Sequence, residues 1–273
     1  MTFNTVVEGR HGQFIVNTND DYVGKSLIEM GEFSRGEAKL FAEIIQPDWH
    51  VIEVGANCGA HTVQLAKLAR KVTAYEPQRI AFQALCGTIA LNGLTNVWAY
   101  QAACGIHTGV VECPYLDPNA AGNFGGVSLV DHPTGPTESV PIVRLDQQPP
   151  CDFLKLDCEG MELQVLNGMG TMRPVIYLEV ERPAQQQTIP DWLMAAKFEC
   201  WWHMPPLYAP DNYRQNTENP FGGLCSINLL CVPVERSVRF DPAAFDMLPL
   251  VDWRVRTRGP QTSGSTDKEL VSA

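Results

Sequence analysis

Short apolar runs and longer segments with helical spacing alternate along most of this chain. The run Val51, Ile52 and Val54 is apolar on both faces, as a central parallel strand between two layers of helices must be. The spacing of apolar residues then predicts four more elements: helix 60–70, strand 72–75, helix 79–91 and strand 97–101. This order predicts an α/β fold with a doubly wound, Rossmann-like and mostly parallel sheet.

The second half of the chain is predicted to complete the same sheet. Buried strands are expected at 153–156 and 175–180, and an antiparallel edge at 198–203 and 225–232. A loop rich in Gly, Pro and Asn at 118–136 interrupts the pattern. Loops of this length in compact domains are usually functional or disordered.

The segment before Val51 is predicted to form an N-terminal cap. Residues 13–16 and 22–27 are typical of two strands joined in a β-hairpin. Ser34, followed three residues later by Glu37, predicts a capping box that opens a helix ending at Pro47. Together with a Gly-, Ser- and Thr-rich tail, these signals divide the chain into three regions: hairpin and helix cap at 1–47, main domain at 48–255 and disordered tail at 256–273.

Composition and charge narrow the range of partners. A net charge of −11 argues against a nucleic-acid partner, because phosphate binding needs clustered Lys and Arg. The chain has no apolar run long enough to span a membrane and no basic-then-apolar leader, so we expect a cytoplasmic protein without membrane contact. The nine cysteines include no C-x-x-C pair, which makes a zinc site improbable. The oligomeric state is left open.

The turn after the first core strand predicts a ligand site. It contains Glu53, Gly55, Asn57 and Gly59 and lacks the G-x-G-x-x-G spacing that seats a dinucleotide pyrophosphate. The Glu53 carboxylate would repel a phosphate and attract a cationic ligand. S-adenosylmethionine fits this pattern because it carries both a sulfonium and an amino group.

Four segments, taken in order, carry a family resemblance. They are EVGANCGAHT from Glu53, YEP from Tyr75, NFGGVSL from Asn123 and KLDCEGME from Lys155. The chain from about residue 20 to about residue 233 resembles the FkbM family of S-adenosylmethionine-dependent methyltransferases. The resemblance implies a class I methyltransferase that methylates a hydroxyl of a sugar or another small natural product.

The cofactor site is predicted at the ends of three strands. An acidic residue after the second strand can accept both ribose hydroxyls of an adenosyl ligand, and Glu76 holds that position. Many class I enzymes place another acid after the third strand to bind the adenine; this chain has Gln101, which would have to substitute. The expected cofactor contacts are Glu53, Gly55, Asn57, Gly59, Glu76 and Gln101.

The methyl acceptor is expected beside the acidic loop that follows strand 153–156. Asp157 is the first choice for a general base or acceptor-positioning group, Glu159 the second and His61 the third. In the light of the resemblance, the 118–136 loop would form a substrate wall with Asn123, Gly126 and Ser128. Paired carboxylates could bind Mg²⁺, but the spacing shows no third clustered acid and leaves Glu179 only as a remote candidate, so no metal is expected.

Three alternatives to a hydroxyl-methylating enzyme remain open. Nothing in the residues selects oxygen over nitrogen, so an N-methyltransferase acting on a small molecule or peptide is possible. A nicotinamide-dependent oxidoreductase is disfavoured by the turn spacing and by Glu53. A non-catalytic partner-binding protein is disfavoured because the acids and glycines of the predicted site are intact.

Overall fold

The computed structural model describes residues 3–130, 135–180 and 182–250. Six α-helices lie in these ranges: α1 Val23–Met30, α2 Arg35–Ile44, α3 Thr62–Leu68, α4 Arg79–Leu91, α5 Glu162–Gly168 and α6 Gln185–Ala195. The first strands are β1 Asn4–Gly9, β2 Gly12–Asn17, β3 His50–Val54, β4 Lys71–Tyr75, β5 Val97–Tyr100, β6 Ala103–Cys104 and β7 Gly109–Pro114. The later strands are β8 Thr137–Val143, β9 Phe153–Leu156, β10 Val175–Glu179, β11 Phe198–His203, β12 Asn228–Pro233 and β13 Leu248–Pro249. The expected disordered tail at 256–273 lies outside the described residues.

An eight-stranded sheet forms the centre of the fold. Its strand order is β13-β11-β12-β10-β9-β3-β4-β5. Strands β10, β9, β3, β4 and β5 pair in parallel, whereas β12, β11 and β13 add an antiparallel edge. This arrangement confirms the predicted mostly parallel α/β sheet with an antiparallel edge.

Helices cover both faces of the sheet. Val51, Phe153 and Tyr177 lie on one face, where they pack against Phe41 of α2 and Leu65 of α3. The neighbouring residues Ile52, Leu154 and Ile176 lie on the other face, with α5 and α6. Consecutive residues of a strand point to opposite faces of the sheet. The strands with uninterrupted apolar residues are therefore explained by burial on both faces.

The N-terminal hairpin exists, but one of its two predicted strands is wrong. Residues 13–16 lie in β2, which pairs with β1 rather than with 22–27. Residues 22–27 instead enter helix α1, because the Asp20 carboxylate accepts the N–H groups of Tyr22 and Gly24 at 3.1 and 2.8 Å. A carboxylate that binds free N–H groups at a helix start stabilises that helix. The aromatic and β-branched residues at 22–23 had favoured a strand in the sequence.

The predicted capping box at Ser34 is also wrong. Ser34 has a left-handed backbone with φ of 42°, and its side chain makes no capping hydrogen bond. Helix α2 nevertheless begins at Arg35, and the Glu37 carboxylate lies 3.2 Å from Nε2 of His61.

None of the helices in the described ranges has the length and apolar character needed to cross a bilayer.

Candidate active site

The carboxyl ends of β3, β4 and β9 open into one cavity of about 1280 Å³. Ligands of doubly wound folds bind at this edge of the sheet. Six carboxylates line the cavity: Glu53, Glu76, Asp157, Glu159, Glu162 and Glu179. Among its described lining residues, the Lys and Arg side chains are Lys155 and Arg182. The charged side chains of the walls are therefore predominantly acidic.

Gly55 lets the turn after β3 pass against the loop after β9. Its backbone φ is +83°, and a Cβ atom here would lie 1.6 Å from the backbone oxygen of Asp157. Only glycine is compatible with this close approach. Gly55 lines the cavity; Gly59, with φ of +91°, does not, and instead packs beside Leu85 and Thr88 of α4.

Glu76 presents a buried carboxylate to the cavity. Its oxygens accept the backbone N–H groups of Asn57 at 2.8 Å and Gln78 at 2.9 Å. Burial raises the pKa of Glu76 to about 7, against the opposing effect of these two hydrogen bonds. Each carboxylate oxygen can accept more than one hydrogen bond, so the side chain can still accept two hydroxyl groups. Asn57 lines the cavity beside it, with a left-handed φ of 50°.

Gln101 does not reach the cavity. Its amide nitrogen donates to the carbonyl oxygen of Pro77 at 3.4 Å, and Ala103 and Cys104 line the wall in this region. The structure therefore does not place Gln101 with the other predicted cofactor contacts. The sequence spacing located the end of β5 to within one residue. It could not show which way the side chain of Gln101, the next residue, turns.

A buried charged cluster forms the floor of the cavity. The Lys155 ammonium donates to Oδ2 of Asp157 at 3.1 Å, and Thr62 donates its hydroxyl to Glu53 at 2.6 Å. Glu53 is only 1% exposed, and burial raises its pKa against the opposing charge of Lys155. The Lys155 side chain is 3% exposed, whereas that of Asp157 is 34% exposed and reaches the cavity.

His61 lies at the edge of this cluster and is buried. Its ring packs against Phe33 and Phe41, with ring centroids 5.5 and 5.3 Å away, and contacts the Glu37 carboxylate. Burial alone would raise the pKa of Glu37, but the hydrogen bond and charge of His61 hold that pKa at about 2. His61 touches the cavity wall, yet these contacts already explain its position.

Glu159 lies two residues after Asp157 and also lines the cavity. It has a left-handed φ of 53°, and its carboxylate accepts a hydrogen bond from Arg182 at 3.3 Å. Burial and the charge of Asp157 raise the pKa of Glu159 to about 7. Glu162 has a structural role, because its carboxylate accepts the N–H groups of Cys158 and Gly160.

Glu179, the remote third candidate for an acidic cluster, does join Asp157 and Glu159. Carboxylate oxygens of Asp157, Glu159 and Glu179 all lie within 4.8 Å of one another. Strand β10 pairs directly with β9, so its last residue, Glu179, comes close to the β9 loop. The sequence separation of these residues hid a proximity that only the strand order creates.

The loop after β7 contributes the outer wall. Asn123 and Gly126 line the cavity with Phe124, and the side-chain Oδ1 of Asn123 accepts the N–H groups of Gly125 and Gly126 at 3.1 and 2.9 Å. Ser128, predicted with them, does not line the cavity; its hydroxyl accepts the N–H of Val130.

Sequence reasoning missed the two cationic residues that line the cavity. Lys155 and Arg182 were assigned no role, although a lysine inside the apolar run Phe153–Leu156 is a signal of a buried charge. The segment 204–223, with Trp201 and Trp202 just before it, is predicted by its aromatic residues to face a substrate, and part of it lines the cavity. Trp202, Met204 and Leu207 form an apolar wall there with Leu224 and Ile227. Met204 and Leu224 are 37% and 38% exposed, so this wall offers apolar surface that a ligand would cover.

Comparison with known proteins identifies one family. The methyltransferase FkbM domain model matches residues 53–200, more than half of the chain. No curated protein sequence matches this chain.

Several solved structures are similar in fold. Methyltransferase FkbM from Methylobacillus flagellatus KT is 14% identical with a TM-score of 0.46; the match covers 71% of this chain and half of that one. M. jannaschii TYW2 in complex with AdoMet is 16% identical with a TM-score of 0.46, covering 85% and 86% of the two chains. Trm5b from Pyrococcus abyssi is 14% identical with a TM-score of 0.47, covering 84% and 56%.

Proposed function

This chain belongs to the FkbM family of S-adenosylmethionine-dependent methyltransferases, and we propose that it methylates a hydroxyl group of a sugar or another small natural product. The observation that carries the proposal is the placement of Glu53, Glu76 and Asp157 around one cavity at the ends of three neighbouring strands. Carboxylates at these positions accept hydrogen bonds and carry negative charge, so they suit a ligand that has a diol, an amine and a sulfonium.

The residues on the cavity walls fit this cofactor. The buried Glu76 carboxylate would accept the ribose hydroxyls, while Gly55 and Asn57 supply the narrow turn beside it. Glu53 would interact with the positively charged part of the ligand. S-adenosylmethionine supplies a methyl group on a positively charged sulfur when bound.

Asp157 is assigned the general-base role. It is the half-exposed acid between the buried floor and the open cavity, and Lys155 holds one of its oxygens. A carboxylate in that position can accept the proton of an acceptor hydroxyl as the oxygen attacks. Glu159 is the second candidate; its pKa of about 7 makes it suited to exchange a proton near neutral pH. His61 is assigned a packing role because of its contacts with Phe33, Phe41 and Glu37.

The remaining volume supports a small-molecule acceptor. Pockets for a single drug-sized ligand measure about 300–1000 Å³, so a cavity of about 1280 Å³ has room for a second molecule beside the cofactor. The apolar wall that includes Trp202 and Leu224 would contact the carbon skeleton of that acceptor. An amine is the second candidate acceptor, since the three clustered carboxylates would attract a cationic group.

Calorimetric titration tests the cofactor assignment. We expect S-adenosylhomocysteine to bind and NADH not to bind. Glu76→Gln is expected to weaken S-adenosylhomocysteine binding by at least tenfold, because a charged hydrogen-bond acceptor is lost from a buried site. Glu43→Gln, which changes an exposed glutamate, is the matched control. Binding of NADH alone would refute the assignment.

Transfer of a labelled methyl group tests the acceptor and the base. Fractions of cell extract and a panel of neutral glycosides would be incubated with the protein and S-[methyl-³H]adenosylmethionine. We expect incorporation into a small molecule, with a large loss of rate in Asp157→Asn and none in the exposed control Asp48→Asn. Equal rates for Asp157→Asn and the parent would remove Asp157 from the mechanism.

A further inference from the structure

Lys155 is a buried cation at the centre of the sheet. It lies opposite Glu53 on β3 and Tyr177 on β10, on the face covered by α2 and α3. Its side chain is 3% exposed, and lysines are almost never buried to this degree unless they are paired. Its ammonium donates to Asp157 and borders the cavity.

Three carboxylates act on this one ammonium: Asp157 accepts its hydrogen bond, and Glu53 and Glu37 act on it through their charge. Burial would lower the pKa of Lys155, but the charges of Asp157, Glu53 and Glu37 outweigh burial and raise it. Lys155 is therefore a permanent cation near neutral pH. Glu37 also contacts His61, and Glu53 accepts the Thr62 hydroxyl, so the cluster is fixed from both helices of this face.

The two forms of the proposed cofactor differ by one charge at this cavity. S-adenosylmethionine has a sulfonium, and S-adenosylhomocysteine has a neutral thioether in its place. Each carboxylate of the floor favours the sulfonium, and Lys155 opposes that preference. At roughly 10 Å and an effective dielectric constant of about 20, one unit charge changes the affinity for another by roughly tenfold.

We propose that Lys155 is a specificity-determining residue: it is the internal counter-charge that sets how strongly the cavity distinguishes sulfonium from thioether. This inference rests on the proposed function of the same cavity. Without Lys155, the floor carboxylates would bind the sulfonium too tightly before the reaction, and tight binding of the reactant does not accelerate transfer. With Lys155 present, the positive charge can be lost from sulfur at a smaller cost in binding.

The test compares the two ligands by calorimetry in Lys155→Met and in the parent. The measured quantity is the ratio of the dissociation constant of S-adenosylhomocysteine to that of S-adenosylmethionine. We expect this ratio to rise about tenfold in Lys155→Met and to stay near the parent value in Lys155→Arg, which keeps the charge. Lys39→Met removes an exposed cation, 58% exposed, and is the matched control.

A second pair of variants removes the risk that Lys155→Met does not fold. Glu53→Gln and the double variant Glu53→Gln/Lys155→Met differ only by Lys155, and the double variant restores the charge balance of the floor. We expect the double variant to raise the ratio about tenfold over Glu53→Gln. An unchanged ratio in either comparison, with both ligands still bound, would overturn the role of Lys155. Binding of neither ligand by the parent protein would instead overturn the proposed function itself.

Discussion

Glu76 illustrates how a single residue links ligand binding to pH. Its carboxylate is 5% exposed, and burial raises its pKa from 4.5 to about 7. The ionised form costs free energy in the unliganded protein, although it is the form that accepts hydroxyl groups. Hydrogen bonds from a bound diol would offset part of that cost, so ligand binding would favour the ionised form of Glu76.

We predict that Glu76 makes the free protein less stable as pH rises from about 4.5 to about 7. In this window the unfolded chain has released the Glu76 proton while the native chain retains it, so unfolding releases a proton and rising pH favours it. At roughly 1.4 kcal/mol for each unit of pKa, the raised pKa of Glu76 accounts for roughly 3 kcal/mol of this change.

Urea unfolding at pH 5 and pH 8 measures this effect. Glu159 has a raised pKa and contributes in the same direction, whereas His11, His50 and His203 have lowered pKa values and contribute in the opposite direction. The parent is therefore compared with Glu76→Gln rather than examined alone. We expect the pH dependence of the free energy of unfolding to be clearly smaller in Glu76→Gln and unchanged in Glu43→Gln. An identical pH dependence in all three proteins would contradict the prediction.

At the scale of elements, the turn after β3 is fixed by its contact with the loop after β9. Gly55 and the Asp157 backbone are so close that the two loops form one unit. The acid proposed as general base is thus positioned by the same glycine that shapes the cofactor turn. The sequence alone shows two separate motifs about 100 residues apart.

Gly55→Ala is predicted to destabilise the fold strongly. The new Cβ would lie 1.6 Å from a backbone oxygen, so both loops would have to move in addition to the strain of a positive φ. Gly93→Ala is the matched control, because Gly93 also has a positive φ, +60°, but nothing lies within 4 Å of its Cβ position. We expect a cost of about 1 kcal/mol for Gly93→Ala and at least about 3 kcal/mol for Gly55→Ala.

Thermal and urea unfolding of the two alanine variants separates the cost of a positive φ, which both share, from the steric clash with Asp157, which only Gly55→Ala has. Equal losses of stability would mean that the β9 loop yields easily, and the two motifs would then be independent. A normal S-adenosylhomocysteine affinity in Gly55→Ala would lead to the same conclusion.

Helix α1 offers a second test at the scale of elements. Asp20 is buried and binds two N–H groups of the first turn, which the sequence pattern did not reveal. We predict that Asp20→Ala costs about 1 kcal/mol, while Asp20→Asn retains most of the stability because an amide oxygen can also accept these bonds. Asp21→Ala, at an exposed neighbour, serves as the control in urea unfolding. Equal stability of Asp20→Ala and the parent would contradict the capping role.

At the scale of the whole molecule, the sequence predicted those helices and strands whose formation depends on the residues of the segment itself. Helix 79–91 and the parallel strands follow from apolar spacing, because burial on one or two faces leaves a direct pattern. The approach of Glu179 to Asp157 follows only from the pairing of β10 with β9. The orientation of Gln101 and the pairing of Glu37 with His61 depend on packing between distant segments, which one sequence does not encode visibly.

The charge of the whole molecule bears on the class of acceptor. The chain has a net charge of −11, and six carboxylates line the cavity. In the described part of the chain, the two Lys and Arg side chains of the cavity, Lys155 and Arg182, each contact a carboxylate. A polyphosphate would meet repulsion both on approach and inside the cavity, because its affinity depends on cations that neutralise phosphates.

We therefore predict that transfer RNA neither binds nor accepts a methyl group. Fluorescence anisotropy of labelled bulk transfer RNA at about 50 mM salt, where phosphate contacts are strongest, should show no saturable binding at micromolar protein. The same RNA incubated with S-[methyl-³H]adenosylmethionine should gain no label, and S-adenosylhomocysteine binding measured on the same sample shows that the protein is folded. Saturable binding that weakens steeply with salt would mean that a basic surface exists outside the cavity, and the acceptor would then have to be sought among nucleic acids.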